Sequence, residues 1–226
     1  MTTRVLLAVL VGVEVLGFAR HAGDSPPLTS GTAILLHDDA AVKTSRTETV
    51  PPLRRTGDGF LVVDRMSRTV GSGSPVSYSV EVEPTLRGQA SDLQRTVTTA
   101  LTDERRGWAS ATALRQVADP ESARIRILLA TPATVDRLCA AAGYYTGGQF
   151  SCWNGRFAAL NLMRWRQAAE GFDSVEQSRT YQVNHEFGHG LGYGHEYCPG
   201  AGATAPVMMQ QTKGLLECEP NPWPHP

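Results

Sequence analysis

The eleven residues 185–195, which read HEFGHGLGYGH, constrain this chain more than any other part of its sequence. On an α-helix, residues four apart lie on one face, one turn above the other. His185 and His189 can therefore offer two imidazoles to one metal ion. Glu186 is the next residue around the helix, so its carboxylate can reach a metal-activated water without taking a ligand position, as a general base must.

Gly192 lies three residues after His189 and predicts where this helix ends. A glycine there can adopt a positive φ, so the chain turns back and brings His195 to the metal as a third ligand. Three neutral imidazoles and one open position predict a catalytic Zn²⁺ site rather than a closed structural one. Chance occurrence of the full spacing is on the order of 10⁻⁵, so incidental surface histidines are the weaker interpretation.

The spacing HExxHxxGxxH matches the zinc signature of the metzincin metallopeptidases at every defining position, and the chain resembles that family. Metzincins have a Met-turn downstream, where a methionine packs beneath the zinc-bound imidazoles. The segment PVMMQ is the matching candidate, with Met208 as the expected turn residue and Met209 as the alternative. Astacins place a tyrosine where this chain has Gln210 or Gln211, so the resemblance carries over no tyrosine that could stabilise an oxyanion.

A longer resemblance covers about residues 60–226. The segments SYSVEVE, LATPATVDRLC, SCWNG and CEPNPWP are similar to those of an uncharacterised family of exported metzincin-like domains from high-GC Gram-positive bacteria. This resemblance implies a fold and a metal but no particular substrate.

Four cysteines without a CxxC pair predict disulfides in an oxidising compartment. Three pairings are possible. We favour the two local ones, Cys139–Cys152 and Cys198–Cys218, because each closes a short loop. Four buried free thiols are the alternative.

The amino-terminal sequence predicts export. An apolar run at residues 5–19 follows one arginine and resembles a signal peptide, although Glu14 interrupts it. We expect residues 1–22 to be a signal peptide or an uncleaved N-terminal anchor, and residues 23–58 to be a flexible linker rich in Thr, Ser, Pro and Asp. The metzincin-like zinc-dependent catalytic domain then covers residues 59–226. Such a protein is secreted or extracellular, or is anchored to the membrane by its N-terminus.

Apolar periodicity predicts the element order β-α-β-β-α-β-α, followed by an irregular C-terminal region. In this order the expected strands are 76–83 (with one buried face), 112–117, 124–130 and 156–162, preceded by a short candidate strand at 60–64. The expected helices are 90–105 (capped by Ser91), 132–139 and 174–190. The fold class is therefore α+β. The resemblance to metzincins implies a more specific fold, a metzincin-like zincin. Such a fold has a mixed twisted sheet and two main helices above a cleft, and an irregular C-terminal subdomain below it.

The predicted function is zinc-dependent hydrolysis of peptide bonds by a metal-activated water, with Glu186 as general base. With a net charge of −1, the protein has no overall positive field that would favour binding of nucleic acid. We expect a monomer that binds an extended polypeptide substrate along an exposed sheet edge, for which residues 157–162 are the candidate. Arg164 and Arg166 could bind an acidic substrate, although a solvated surface is the simpler interpretation.

Two other functions remain open from the sequence. One is an exported zinc-binding domain that hydrolyses a non-peptide amide of the cell wall. The other is a non-catalytic zinc-bearing interaction module, against which the intact Glu186 argues, because a scaffold needs no carboxylate there.

Overall fold

The structure, a computed structural model, describes residues 51–226. The predicted signal peptide or anchor at 1–22 and the predicted linker as far as residue 50 lie outside the described residues. The first strand, β1 (Leu53–Arg55), falls within the range assigned to the linker and pairs antiparallel with β2 (Leu61–Val63). The sheet therefore starts before residue 59. Within residues 51–226, none of the helices has the length and apolar character needed to cross a membrane.

A mixed sheet of seven strands forms the centre of the described region. Three parallel strands lie in its middle: β3 (Val76–Val82), β5 (Ile125–Ala130) and β7 (Phe157–Asn161). β4 (Leu114–Gln116) runs parallel to the start of β3, and β6 (Cys152–Trp153) runs antiparallel to β7. All residues of β5 and β7 are buried, as expected for parallel strands covered on both faces.

The predicted edge strand is wrong. β7 was expected at the edge of the sheet, but it lies between β5 and β6, and β6 is the edge strand on that side. The apolar sequence of β7 suits a strand with neighbours on both sides. β6 has only two residues, too few to produce an alternating pattern.

Four α-helices accompany the sheet. They are α1 (Ala90–Thr102), α2 (Pro132–Ala140), α3 (Leu162–Arg166) and α4 (Val175–Leu191), and 3₁₀ turns occur at Pro84–Gln89, Trp108–Ser110, Pro120–Ser122 and Gln211–Lys213. Buried residues of α1 and α4 share a core with Ile127 and Leu129 of β5, whereas α2 packs with Leu128 on the opposite face. Helices thus cover both faces of the sheet, and the α+β class is confirmed.

Two local predictions are wrong. Ser91 does not cap α1, because a 3₁₀ turn leads directly into that helix and its N-cap is Gln89. The polar face of β3 was expected in solvent, but Glu81 is fully buried. It accepts a hydrogen bond of 2.7 Å from Nε of Arg126, which is itself buried on β5. Because the carboxylate of Glu81 is paired with the guanidinium of Arg126, this second face of the strand can also be buried.

Both predicted disulfides are present, Cys139–Cys152 and Cys198–Cys218, and no cysteine among the described residues is free. They indicate an oxidising, extracellular environment. The second bond closes part of the C-terminal region after α4, in which the only helix among the described residues is the 3₁₀ turn Gln211–Lys213. The predicted irregular C-terminal region is thus confirmed.

Candidate metal centre

α4 carries the first two histidines of the motif, and both of its ends follow the sequence prediction closely. The side chain of Ser174 caps the helix by accepting a hydrogen bond of 3.1 Å from the backbone N–H of Gln177. The helix ends at Leu191, and Gly192 adopts a left-handed φ of 103°. The N–H of Tyr193 then donates to the carbonyl oxygen of Gly188 at 3.0 Å, which closes the last turn. The predicted role of Gly192 as the helix terminator is confirmed.

The turn after Gly192 brings His195 back to the two histidines of α4. One ring nitrogen each from His185, His189 and His195 lies within 4.8 Å of the others, and the Nε2 atoms of His189 and His195 are 3.2 Å apart. Two imidazoles bound to one zinc at 2.0–2.1 Å with tetrahedral angles place their nitrogens about 3.3 Å apart. The separation of His189 and His195 therefore matches a shared metal ion, and the three histidines together form a group that could hold one.

Backbone carbonyls orient two of these rings. Nδ1 of His185 lies 2.8 Å from the carbonyl oxygen of Val207, and Nδ1 of His189 lies 2.8 Å from that of Tyr193. Because a carbonyl oxygen can only accept, each Nδ1 carries the proton and each Nε2 keeps its lone pair. Metal-ligating histidines commonly have such an outer partner, so the donor chemistry also fits a metal.

Burial keeps the ring of His185 neutral, as metal binding requires. It lowers the pKa of His185 to about 3, with further lowering from the neighbouring imidazoles and from Lys213. Partial burial also lowers the pKa of His195, which is more exposed than His185, again with help from His189 and Lys213. These directions agree with neutral donors at physiological pH.

Glu186 is buried beside His185 on the same helix. Burial raises the pKa of its carboxyl group to about 8. Among the described residues, it is the single acidic side chain that lines the same cleft as the three histidines. A carboxyl group with a shifted pKa in a cleft is suited to accept and return a proton.

Met208 and Met209 occupy different environments. A Cβ added to Gly188 of α4 would lie 2.5 Å from Sδ of Met208, so Met208 packs directly against the helix between the first two histidines. Met209 is buried instead with Ala205 and Cys218 in the C-terminal region. Of the two candidates, Met208 is the one whose side chain lies against Gly188, between the first two histidines.

Tyr181 is a functional candidate that the sequence analysis missed. Its hydroxyl donates to the carbonyl oxygen of Met209 at 2.7 Å, accepts from the N–H of Gln211 at 3.0 Å, and lies 3.3 Å from Nδ1 of His185. It joins α4 to the C-terminal region beside the first histidine. Its position four residues before His185, on the same helix face, was the available sequence signal.

The three histidines and Glu186 line a cleft of about 210 Å³, which we call the histidine cleft. Other lining residues come from α4 itself, from the segment between α2 and β6, from β6, from α3 and from the C-terminal region. They include Tyr145, Phe150, Trp153, Arg164, Gln182 and Lys213. The cleft thus adjoins the edge strand β6.

The fold and the site define an α+β protein with a three-histidine group that can hold a metal ion. The chain belongs to the DUF3152 family, which is described as a protein of unknown function and whose model matches residues 49–226. Comparison with curated proteins and with solved structures found no match.

Proposed function

We propose that this protein is a zinc-dependent peptide hydrolase of the metzincin type, secreted or held outside the membrane. The observation that carries the proposal is the convergence of three imidazole donors, two of them oriented by backbone carbonyls, beside the buried carboxyl group of Glu186. Met208 is the proposed Met-turn residue, and its packing against Gly188 supports that assignment.

His185, His189 and His195 would hold the ion through Nε2. When bound, zinc supplies Lewis acidity, which polarises a carbonyl group and makes water more acidic. Three protein ligands leave a coordination position open, which is typical of catalytic rather than structural zinc sites.

Glu186 moves the proton in this mechanism. Its carboxylate takes a proton from the attacking water and gives it to the nitrogen that leaves when the peptide bond breaks, so no covalent enzyme intermediate is needed. Burial alone raises the pKa of Glu186 to about 8. A metal cation held by the neighbouring histidines would lower that pKa and so favour the carboxylate form.

The edge strand β6 supports an extended polypeptide as substrate. Cys152 and Trp153 both line the histidine cleft, and β6 is paired on one side only, with β7. A peptide that adds to a free sheet edge satisfies its backbone hydrogen bonds there. The substrate would therefore lie along β6 rather than along β7.

The test compares metal content and cleavage of a mixed peptide pool by the full chain, Glu186→Gln and Glu196→Gln. Glu196 directly follows the third histidine but does not line the histidine cleft, so its variant is the matched control. We expect one zinc per chain in all three proteins. Glu186→Gln should lose about 10²- to 10⁴-fold in kcat/KM, while Glu196→Gln should keep its activity.

Two results would contradict the proposal. A Glu186→Gln variant with the kcat/KM of wild type would show that Glu186 is not the general base. A wild-type protein that binds zinc stoichiometrically but cleaves no peptide would favour the cell-wall amide or the interaction module instead.

A further inference from the structure

Two cationic side chains line the histidine cleft. Arg164 comes from α3 and Lys213 from the 3₁₀ turn Gln211–Lys213. The guanidinium carbon of Arg164 and Nζ of Lys213 each lie 5.3 Å from the centroid of the Phe150 ring. Segments far apart in sequence therefore place two positive charges, one on the half-buried Arg164 and one on the exposed Lys213, around one aromatic ring that lines the cleft.

Neither cation has a carboxylate partner among the described residues. Arg126 and Arg156 do form ion pairs with acidic side chains. In contrast, the one hydrogen bond of Arg164 within residues 51–226 runs from Nε to the carbonyl oxygen of Gln149 at 3.0 Å. Its two terminal nitrogens are thus left with unused donors, in the planar fork that binds a carboxylate with two parallel hydrogen bonds.

Contact with Phe150 alone does not account for this arrangement. A cation–π contact at an exposed site uses the face of the ring and leaves every N–H donor available. Two like charges beside one ring also repel each other. An anionic group bound between them would remove that repulsion and satisfy the free donors of Arg164.

Gln182 adds an unsatisfied polar group to the same cleft. It lies one turn before Glu186 on α4, is 3% exposed, and its Oε1 atom has no hydrogen-bond donor among the described residues. A buried acceptor without a partner is uncommon in native proteins. The N–H of a bound peptide would supply the missing donor.

We propose that Arg164 and Lys213 bind a carboxylate of the substrate, so the enzyme prefers peptides with an acidic group near the bond that is cleaved. This inference rests on the proposed function and names the substrate class of that site. Gln182 is proposed to accept a hydrogen bond from an amide N–H of the same peptide.

The experiment uses the zinc-loaded full chain and pairs of fluorogenic peptides that differ only by Glu or Gln at one position, scanned on both sides of the cleaved bond. At one position, the wild-type protein should favour Glu over Gln by about 10- to 100-fold in kcat/KM, the size typical of a charge-assisted hydrogen bond. Arg164→Gln and Lys213→Gln should each reduce that ratio toward one. Arg164→Glu should reverse it in favour of Gln, because the introduced carboxylate repels the Glu peptide.

Arg166→Gln is the matched control. Arg166 lies on the same helix but is exposed and does not line the cleft, so its variant should keep the wild-type ratio. Peptides with a free or an amidated C-terminus show whether the carboxylate belongs to a side chain or to the chain end. A wild-type ratio near one at every position, together with no effect of amidation, would overturn the proposal.

Binding separates this inference from the proposed hydrolysis. If the wild-type protein cleaves none of the peptides, hydrolysis has failed, and calorimetry on the same peptides tests the carboxylate site by itself. Tighter binding of the Glu peptide to the wild-type protein than to Arg164→Gln would support the site. Equal binding, or none, would overturn it.

Discussion

Nδ1 of His185 lies 2.8 Å from the carbonyl oxygen of Val207, which joins the first histidine of the motif to the C-terminal region. This hydrogen bond fixes which nitrogen of the ring is free. The orientation of a residue on α4 therefore depends on a segment twenty-two residues further along the chain.

Loss of the bond between Cys198 and Cys218 should weaken metal binding, because the loop that it closes contains Val207. We expect the double variant Cys198→Ala/Cys218→Ala to lose about 3 kcal/mol of unfolding free energy and about 10-fold in zinc affinity. Cys139→Ala/Cys152→Ala is the control, since its loop excludes Val207. Competition with a chelating dye measures the affinity. An equal loss of affinity in both variants would refute the link between the loop and His185.

Replacement of His195 should separate metal binding from folding. His195 is exposed, so His195→Ala leaves no buried cavity and should keep the unfolding temperature of the metal-free protein. We expect zinc affinity to fall by more than about 100-fold, beyond the usual effect of an outer-shell change. His225→Ala, in the C-terminal tail, should retain full zinc content by elemental analysis. Unchanged zinc affinity of His195→Ala in competition with a chelating dye would remove His195 from the ligand set.

The pH dependence of the metal-free protein should reveal two opposed buried groups. Burial lowers the pKa of His185 to about 3, so below pH 6.5 the unfolded chain binds a proton that the folded chain does not, and stability falls as pH falls. Burial raises the pKa of Glu186 to about 8, so above pH 4.5 the folded chain holds a proton that the unfolded chain has lost, and stability falls as pH rises. Between pH 5 and pH 6 the two contributions offset each other.

Glu186→Gln removes one side of this balance. In this variant only the contribution of His185 remains, so its free energy of unfolding should fall when the pH is lowered from 6 to 5. The fall should exceed that of wild type by up to about 1.4 kcal/mol. Urea denaturation of both chelator-treated proteins at several pH values measures the difference. Parallel curves for the two proteins would contradict the raised pKa of Glu186 in the folded protein.

Gly188→Ala should destabilise the protein, although alanine is more favourable than glycine inside a helix by about 1 kcal/mol. The new methyl group would lie 2.5 Å from Sδ of Met208 and 2.8 Å from Cζ2 of Trp108. Trp108 cannot easily move, since its Nε1 donates to the carbonyl oxygen of Asn184 at 3.1 Å. Overpacking of this kind costs about 1–3 kcal/mol.

Calorimetric unfolding of Gly188→Ala measures that cost, and Gly194→Ala is its control. A Cβ at Gly194 has no neighbour within 4 Å, so this variant should unfold at the wild-type temperature. An unfolding temperature of Gly188→Ala at or above that of wild type would show that Met208 does not pack tightly on α4.

The sequence predicted most of the long elements because their periodicity is local. The alternation in β3, the helical spacing in α1 and the histidine spacing in α4 all lie within single segments. Gly192 likewise indicated the end of α4, because its requirement for a positive φ is a property of one residue.

Features that depend on distant partners were missed. Glu81 was expected in solvent, since its pairing with Arg126 depends on two strands lying side by side. The short helix α3 was not predicted, and its first residue, Leu162, was assigned to the preceding strand because it continues an apolar run. The hydrogen bond from His185 to the backbone of Val207 could not be predicted either. Every type of residue at position 207 would supply the same carbonyl oxygen, so the sequence carries no signal for it.

The hydrogen bond from His185 to Val207 also has a consequence for the order of events during biosynthesis. A chain emerges from its amino-terminal side, so the three histidines appear before the carbonyl group that holds the first of them. The Cys198–Cys218 bond that encloses Val207 closes only when both cysteines have reached an oxidising compartment. A newly made, reduced chain therefore carries the motif before it carries the fully supported site, and we expect capture of a metal by the finished site to be a late step of maturation.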